Sequence, residues 1–154
     1  MASGILSVLH TVQSTFAAYN LYVGTQTVSN LLEYEEKSKK AAEYSNVAEN
    51  QLYKTRTTQA TSIASVLLTF VSSAYLIFSN KSKSSELVTM AINLAVLTLA
   101  RQYIGNFWDG KAKVPLPGVG KFNDAISMTK EVRLNMLYLA GTWLASGLVS
   151  LALL

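Results

Sequence analysis

Residues 134–154 read LNMLYLAGTWLASGLVSLALL and carry no charged side chain. The hydrocarbon layer of a bilayer is about 30 Å thick, so a helix needs roughly 20 mostly apolar residues to cross it. This stretch meets that length, and three others join it at 4–32, 60–80 and 87–108. Residues 2–32 contain no Asp, Glu, Lys or Arg, 60–80 contain none, and 87–108 contain only Arg101. Four such stretches in 154 residues predict an all-α fold, a four-transmembrane-helix antiparallel bundle forming one domain over 1–154. Long loops at 33–59 and 109–133 alternate with a tight turn at 79–84, which makes the second and third spans neighbours.

Composition agrees. Half the residues are apolar and 14% are charged, against about 25% in an ordinary soluble domain. A small soluble domain leaves much of its surface wet and could not hide four uncharged helices. With no cysteine, disulfides, thiolate metal sites and a Cys nucleophile are excluded. The one histidine, His10, provides no cluster for zinc or haem, so no metal is expected. The net charge of +4 sits in the loops. It suits an anionic bilayer surface rather than nucleic acid, since no basic stripe interleaves with aromatics. Met1-Ala2-Ser3-Gly4 lacks the positive n-region of a signal peptide, so the first stretch reads as a retained span.

Cations set the orientation. Lys37, Lys39, Lys40, Lys54 and Arg56 lie in the first long loop, and Lys111, Lys113, Lys121, Lys130 and Arg133 in the second. The opposite side has only Lys81 and Lys83. The positive-inside rule puts both long loops in the cytoplasm and both termini in a lumen or outside. Arg101, followed by Tyr103, Phe107 and Trp108, fits the interface leading into the second basic loop.

Within the first span, Leu9, Val12, Phe16, Tyr19 and Val23 form an apolar seam. Ser7, Thr11, Ser14, Ala18, Thr25 and Ser29 form a stripe of small residues that lets backbones approach closely. His10, Gln13, Asn20 and Gln26 are costly to leave facing lipid, so this helix is expected to be surrounded by protein. No Gly or Pro lies between Gly24 and Gly105, and Glu33–Lys37, Glu35–Lys39 and Glu36–Lys40 are i,i+4 pairs. The helix is therefore expected to project from the membrane to about Glu43. Small or hydroxylated residues recur on the other spans: Ser62, Ser65, Thr69 and Ser72 or Ser73; Ala91, Ala95 and Thr98; Thr142, Ser146 and Ser150. Such faces predict tight packing and a homo-oligomer, or a subunit of a larger membrane complex.

The segment 109–124 breaks helical character at Asp109-Gly110 and Pro115-Leu116-Pro117-Gly118. Its Gly118–Lys121 run lacks the full phosphate-loop signature, because Phe122 follows the lysine. Lys111, Lys113 and Lys121 are candidate contacts to lipid headgroups, with Val114, Leu116, Val119 and Phe122 dipping into the interface or capping the bundle. Catalytic constellations are absent: no paired intramembrane carboxylates occur, and His10 has no acidic neighbour in sequence, so it reads as a packing residue. The primary expectation is a non-catalytic structural or assembly-forming membrane subunit without a cofactor. Asn20, Asn93 and His10 lining a polar path of a channel is a further reading.

The stretch Leu99-Ala100-Arg101-Gln102-Tyr103-Ile104-Gly105-Asn106-Phe107 and the overall plan resemble the family of membrane-associated proteins in eicosanoid and glutathione metabolism (MAPEG). That family's Glu/Arg/Asn pattern entering the second span is kept here only at Arg56. The resemblance implies a trimer with lumenal termini in the endoplasmic reticulum or another organellar membrane. It also implies a glutathione- or lipid-handling site with Arg56 and Arg101 as cofactor-binding residues.

Overall fold

Four helices account for nearly all of the described chain: α1 (Ala2–Ala42), α2 (Asn46–Phe78), α3 (Lys83–Trp108) and α4 (Gly120–Ala152). The computed structural model describes residues 2–79, 82–113 and 118–152, with side chains except those of 2, 3, 37, 38 and 41. Each of α1 and α3 packs on both α2 and α4, so the helices stand at the corners of a square in chain order. The register is antiparallel: Gln13 meets Ser146, Asn20 meets Asn135 and Asn30 meets Met128.

The intervals read as loops are largely helical. α1 runs to Ala42, close to the end its Glu–Lys pairs predict, with Lys39 and Lys40 in its last turn. Only residues 43–45 separate it from α2. Ser45 caps α2 by accepting from the Ala48 N–H at 3.4 Å, and Glu49 lies in the first turn. Ser82 and Glu86 start α3 in the same way. α4 begins at Gly120, well before the expected 134, after Gly118 takes φ +84°, a conformation that favours glycine. Val114 and Leu116 lie outside the described residues.

The helices are built inside out relative to a soluble bundle. Their buried positions recur at 3–4 spacing, as in left-handed bundles: 10, 13, 17, 20, 24, 27 and 31 on α1, and 125, 129, 132, 136, 139, 143, 146 and 150 on α4. Many of these are polar, including His10, Gln13, Asn20, Thr58, Gln59, Thr69, Asn93 and Asn135. Outward positions carry Val8, Val12, Tyr22, Leu67, Val71, Leu99, Leu144 and Leu148. Hydrocarbon offers polar groups no partner, so they must find one between helices.

They do. Asn135 Nδ2 donates to Asn20 Oδ1 at 2.9 Å, and Asn20 Nδ2 to the Phe16 carbonyl at 2.8 Å. Thr69 Oγ1 donates to Asn93 Oδ1 at 3.1 Å, and Asn93 Nδ2 to the Thr89 carbonyl at 2.9 Å. Gln59 Nε2 donates to Thr129 Oγ1 at 2.8 Å, and Trp108 Nε1 to Thr58 Oγ1 at 2.8 Å. Each interhelical bond of this kind contributes about 0.6 kcal/mol. Among the described residues, the buried polar atoms without a partner are Arg101 Nε, Trp143 Nε1 and Ser150 Oγ.

α2, α3 and α4 are long and apolar enough to cross a bilayer. α1 has the length, but its inner seam is too polar for that standard. Ser7, Thr11 and Ala18 lie on its exposed face; Ser14 is half-buried. Gln26 is also exposed, contrary to the expectation that it turns inward. On α4, Thr142 is half-buried and Ser146 fully buried.

Candidate functional site

Beyond the apolar runs, at the end holding residues 42–46, 108–113 and 118–120 (the basic end), α1, α2 and α4 continue past the last turn of α3. Here α2 places Ala48, Gln51, Leu52, Thr55, Arg56, Gln59, Ala60 and Ile63 along one face at i+3/i+4 steps. Together with Val28, Leu31 and Leu32 of α1, Phe107 and Trp108 of α3, and Val119 and Phe122, this face encloses a groove of about 840 Å³. That volume falls within the ~300–1,000 Å³ typical of ligand sites.

Its walls are mainly apolar, and its polar groups are few and placed. Glu35 accepts from Arg56 and, at 3.2 Å, from Lys39. The Arg56 hydrogen bond, with Lys39 adding to it, holds the Glu35 carboxyl below the usual carboxylate range against the opposing pull of desolvation. Lys111 donates to Gln51 Oε1 and stands 4.6 Å from the centre of the Phe107 ring. Trp108 packs edge-on to Phe107 at 5.4 Å, and its indole N–H is anchored on Thr58. Tyr34 stacks on Phe122 at 4.7 Å. A carboxylate held ionised between two cations is a poor proton donor.

The other predicted residues lie apart from this groove or at its edge. Arg101 is not among its lining residues; its carbonyl accepts from Arg133 Nε at 3.1 Å. Arg133 also pairs with Asp109, and Glu131 accepts from the Tyr19 hydroxyl at 2.7 Å. Lys121 pairs with Glu33, whereas Lys113 is exposed. Sequence reasoning missed Gln51 and Leu52, although the amphipathic spacing of 48–63 is the signal that could have found them.

A second polar cluster lies at the opposite end. His10, read as lacking an acidic partner, has Glu86 Oε1 3.5 Å from its Nε2. Ser146 Oγ donates to the Thr142 carbonyl and accepts from Gln13 Nε2 at 3.0 Å. Gln13 Oε1, 2.7 Å from His10 Nδ1, then requires that nitrogen to carry the proton. The chain of donors thus fixes the imidazole orientation from α4. Asn20 is bonded to α4 and Asn93 to α2.

Comparison with protein families, with curated proteins and with solved structures finds no match to this sequence or fold.

Proposed function

We propose that the protein is a four-span integral membrane protein that binds an amphiphile drawn from the bilayer, without covalent chemistry. The observation that carries this reading is the apolar groove with Arg56, Gln51 and Lys111 at its polar side, where the apolar runs of α2, α3 and α4 end. α1 serves as the fourth span: residues 2–32 are uncharged, and its outer face presents Ile5, Val8, Val12 and Tyr22. The basic end faces the cytoplasm and the termini a lumen or the exterior, by the asymmetry of Lys and Arg.

The test is the detergent-solubilised particle, with co-purifying lipid identified by mass spectrometry. Ala60→Phe, which places a ring in the groove, is expected to lower bound amphiphile about tenfold, since overfilling a packed site costs about 1–3 kcal/mol. An unchanged lipid content would count against the groove. Displacement of that lipid by a glutathione thioether would instead favour the chemistry implied by the MAPEG resemblance.

A second reading, self-assembly, is favoured by the outer face of α1. Gly4, Ser7, Thr11 and Ala18 leave a shallow strip there. The Thr11 and Thr15 hydroxyls already donate to the carbonyls of Ser7 and Thr11. A second copy could therefore approach closely without stranding a polar group. Replacing Ser7, Thr11 and Ala18 together by leucine is expected to reduce the particle to a monomer in detergent. An unchanged mass by light scattering would rule out that contact.

A further inference from the structure

Resting on the groove as a ligand site, we infer that its ligand carries an anionic head on an apolar tail, and that Lys111 is the residue that reads the head. Three acids at this end of the bundle are answered by cations. Glu35 is held by Arg56 and Lys39, Glu33 by Lys121, and Asp109 by Arg133.

Lys111 stands outside this pairing. Its contacts are the neutral Gln51 amide and the face of Phe107, and among the described residues no carboxylate pairs with it. Lys130 Nζ donates to the Lys111 backbone carbonyl at 3.2 Å and ties this stretch to α4. Lys111 is therefore a cation without a carboxylate partner among the described residues, set at the polar side of a largely apolar chamber. A neutral amphiphile would fill the chamber and leave that charge unanswered. A fatty carboxylate or a lipid phosphate monoester would satisfy both halves, with a charge-assisted bond from Lys111 and its tail along Leu31, Leu52 and Ile63.

Trp108 in the groove wall is a built-in reporter once Trp143, at the far end beside His10, is replaced by phenylalanine. Quenching is measured with dibrominated stearate and with its neutral amide, in uncharged detergent. Stearate is expected to bind about tenfold tighter than the amide, the size of one partly solvated charge-assisted bond. Lys111→Gln should remove most of that preference and leave amide binding unchanged, and Lys111→Arg should keep it. Displacement of stearate by lysophosphatidate counts for the proposal, and the ranking of the two names the physiological head. Equal affinities for stearate and amide, or an unaltered preference in Lys111→Gln, would overturn the inference while the groove itself stood, provided Ala60→Phe still weakened quenching about tenfold. If neither probe quenches saturably, the groove reading fails first and takes the inference with it.

Discussion

Leu99→Lys is expected to destabilise the protein in a bilayer by about 3 kcal/mol, although Leu99 is 67% exposed. In a water-soluble protein, such a surface change stays within about 0.5 kcal/mol. Leu99 lies nine residues before Trp108, which places it about 14 Å along the helix from the interfacial end, near the middle of the hydrocarbon. A lysine there can reach water only by stretching its stem toward a headgroup, and the residual cost is that of an ammonium held in lipid. The comparison is Tyr53→Lys, at an equally exposed position on the part of α2 outside the apolar run. Reversible unfolding in bicelles should show a large loss for the first and almost none for the second. Two small effects of similar size would mean that hydrocarbon does not surround these helices.

The second large effect is expected at Gly105. The guanidinium of Arg133 lies across the backbone of α3 at this position, and a Cβ added to Gly105 would sit 2.5 Å from its Cζ. From there Arg133 donates through Nε to the Arg101 carbonyl and pairs with Asp109, clasping the end of α3 to α4. A glycine-to-alanine change inside a helix normally gains about 1 kcal/mol. Here it should instead cost about 1 kcal/mol, a swing of about 2 kcal/mol from the usual gain, because the Arg133 side chain, 21% exposed, must leave the Arg101 carbonyl and the exposed Asp109. The double variant with Arg133→Ala should be no less stable than Arg133→Ala alone, since the clash is gone. A stabilising Gly105→Ala in the wild-type background would show that Arg133 moves aside freely.

Much of the fold was legible because lipid imposes one rule, a mostly apolar run of about 20 residues, and four runs stand out. The projection of α1 to Ala42 was legible too, through its glutamate–lysine ladder. The starts of α2 and α4 were not. Residues 46–59 and 120–133 have no long apolar run, only an amphipathic spacing that charges such as Glu49, Lys54 and Asp124 obscure. The face of α1 was half legible. The cost of leaving His10, Gln13 and Asn20 in lipid correctly turned them inward. The small stripe gave no sign of its side, because small residues suit a contact within one chain and between chains equally. Arg56 reached the candidate site and Arg101 did not, since which neighbour a helix presents its arginine to depends on packing that spacing alone leaves open. Glu86 lies 76 residues from His10, and no local pattern links them.

α3 has 26 residues, whereas α2 and α4 have 33 each and α1 has 41. One corner of the square therefore stops early, and the groove beside Trp108 is walled chiefly by the three taller ones. The chamber is thus an architectural vacancy, made by unequal column heights rather than by sculpted side chains. Its walls could drift in composition, and its tenant with them, while the room persisted. Two further turns of α3 would abolish it, whatever residues lined the walls.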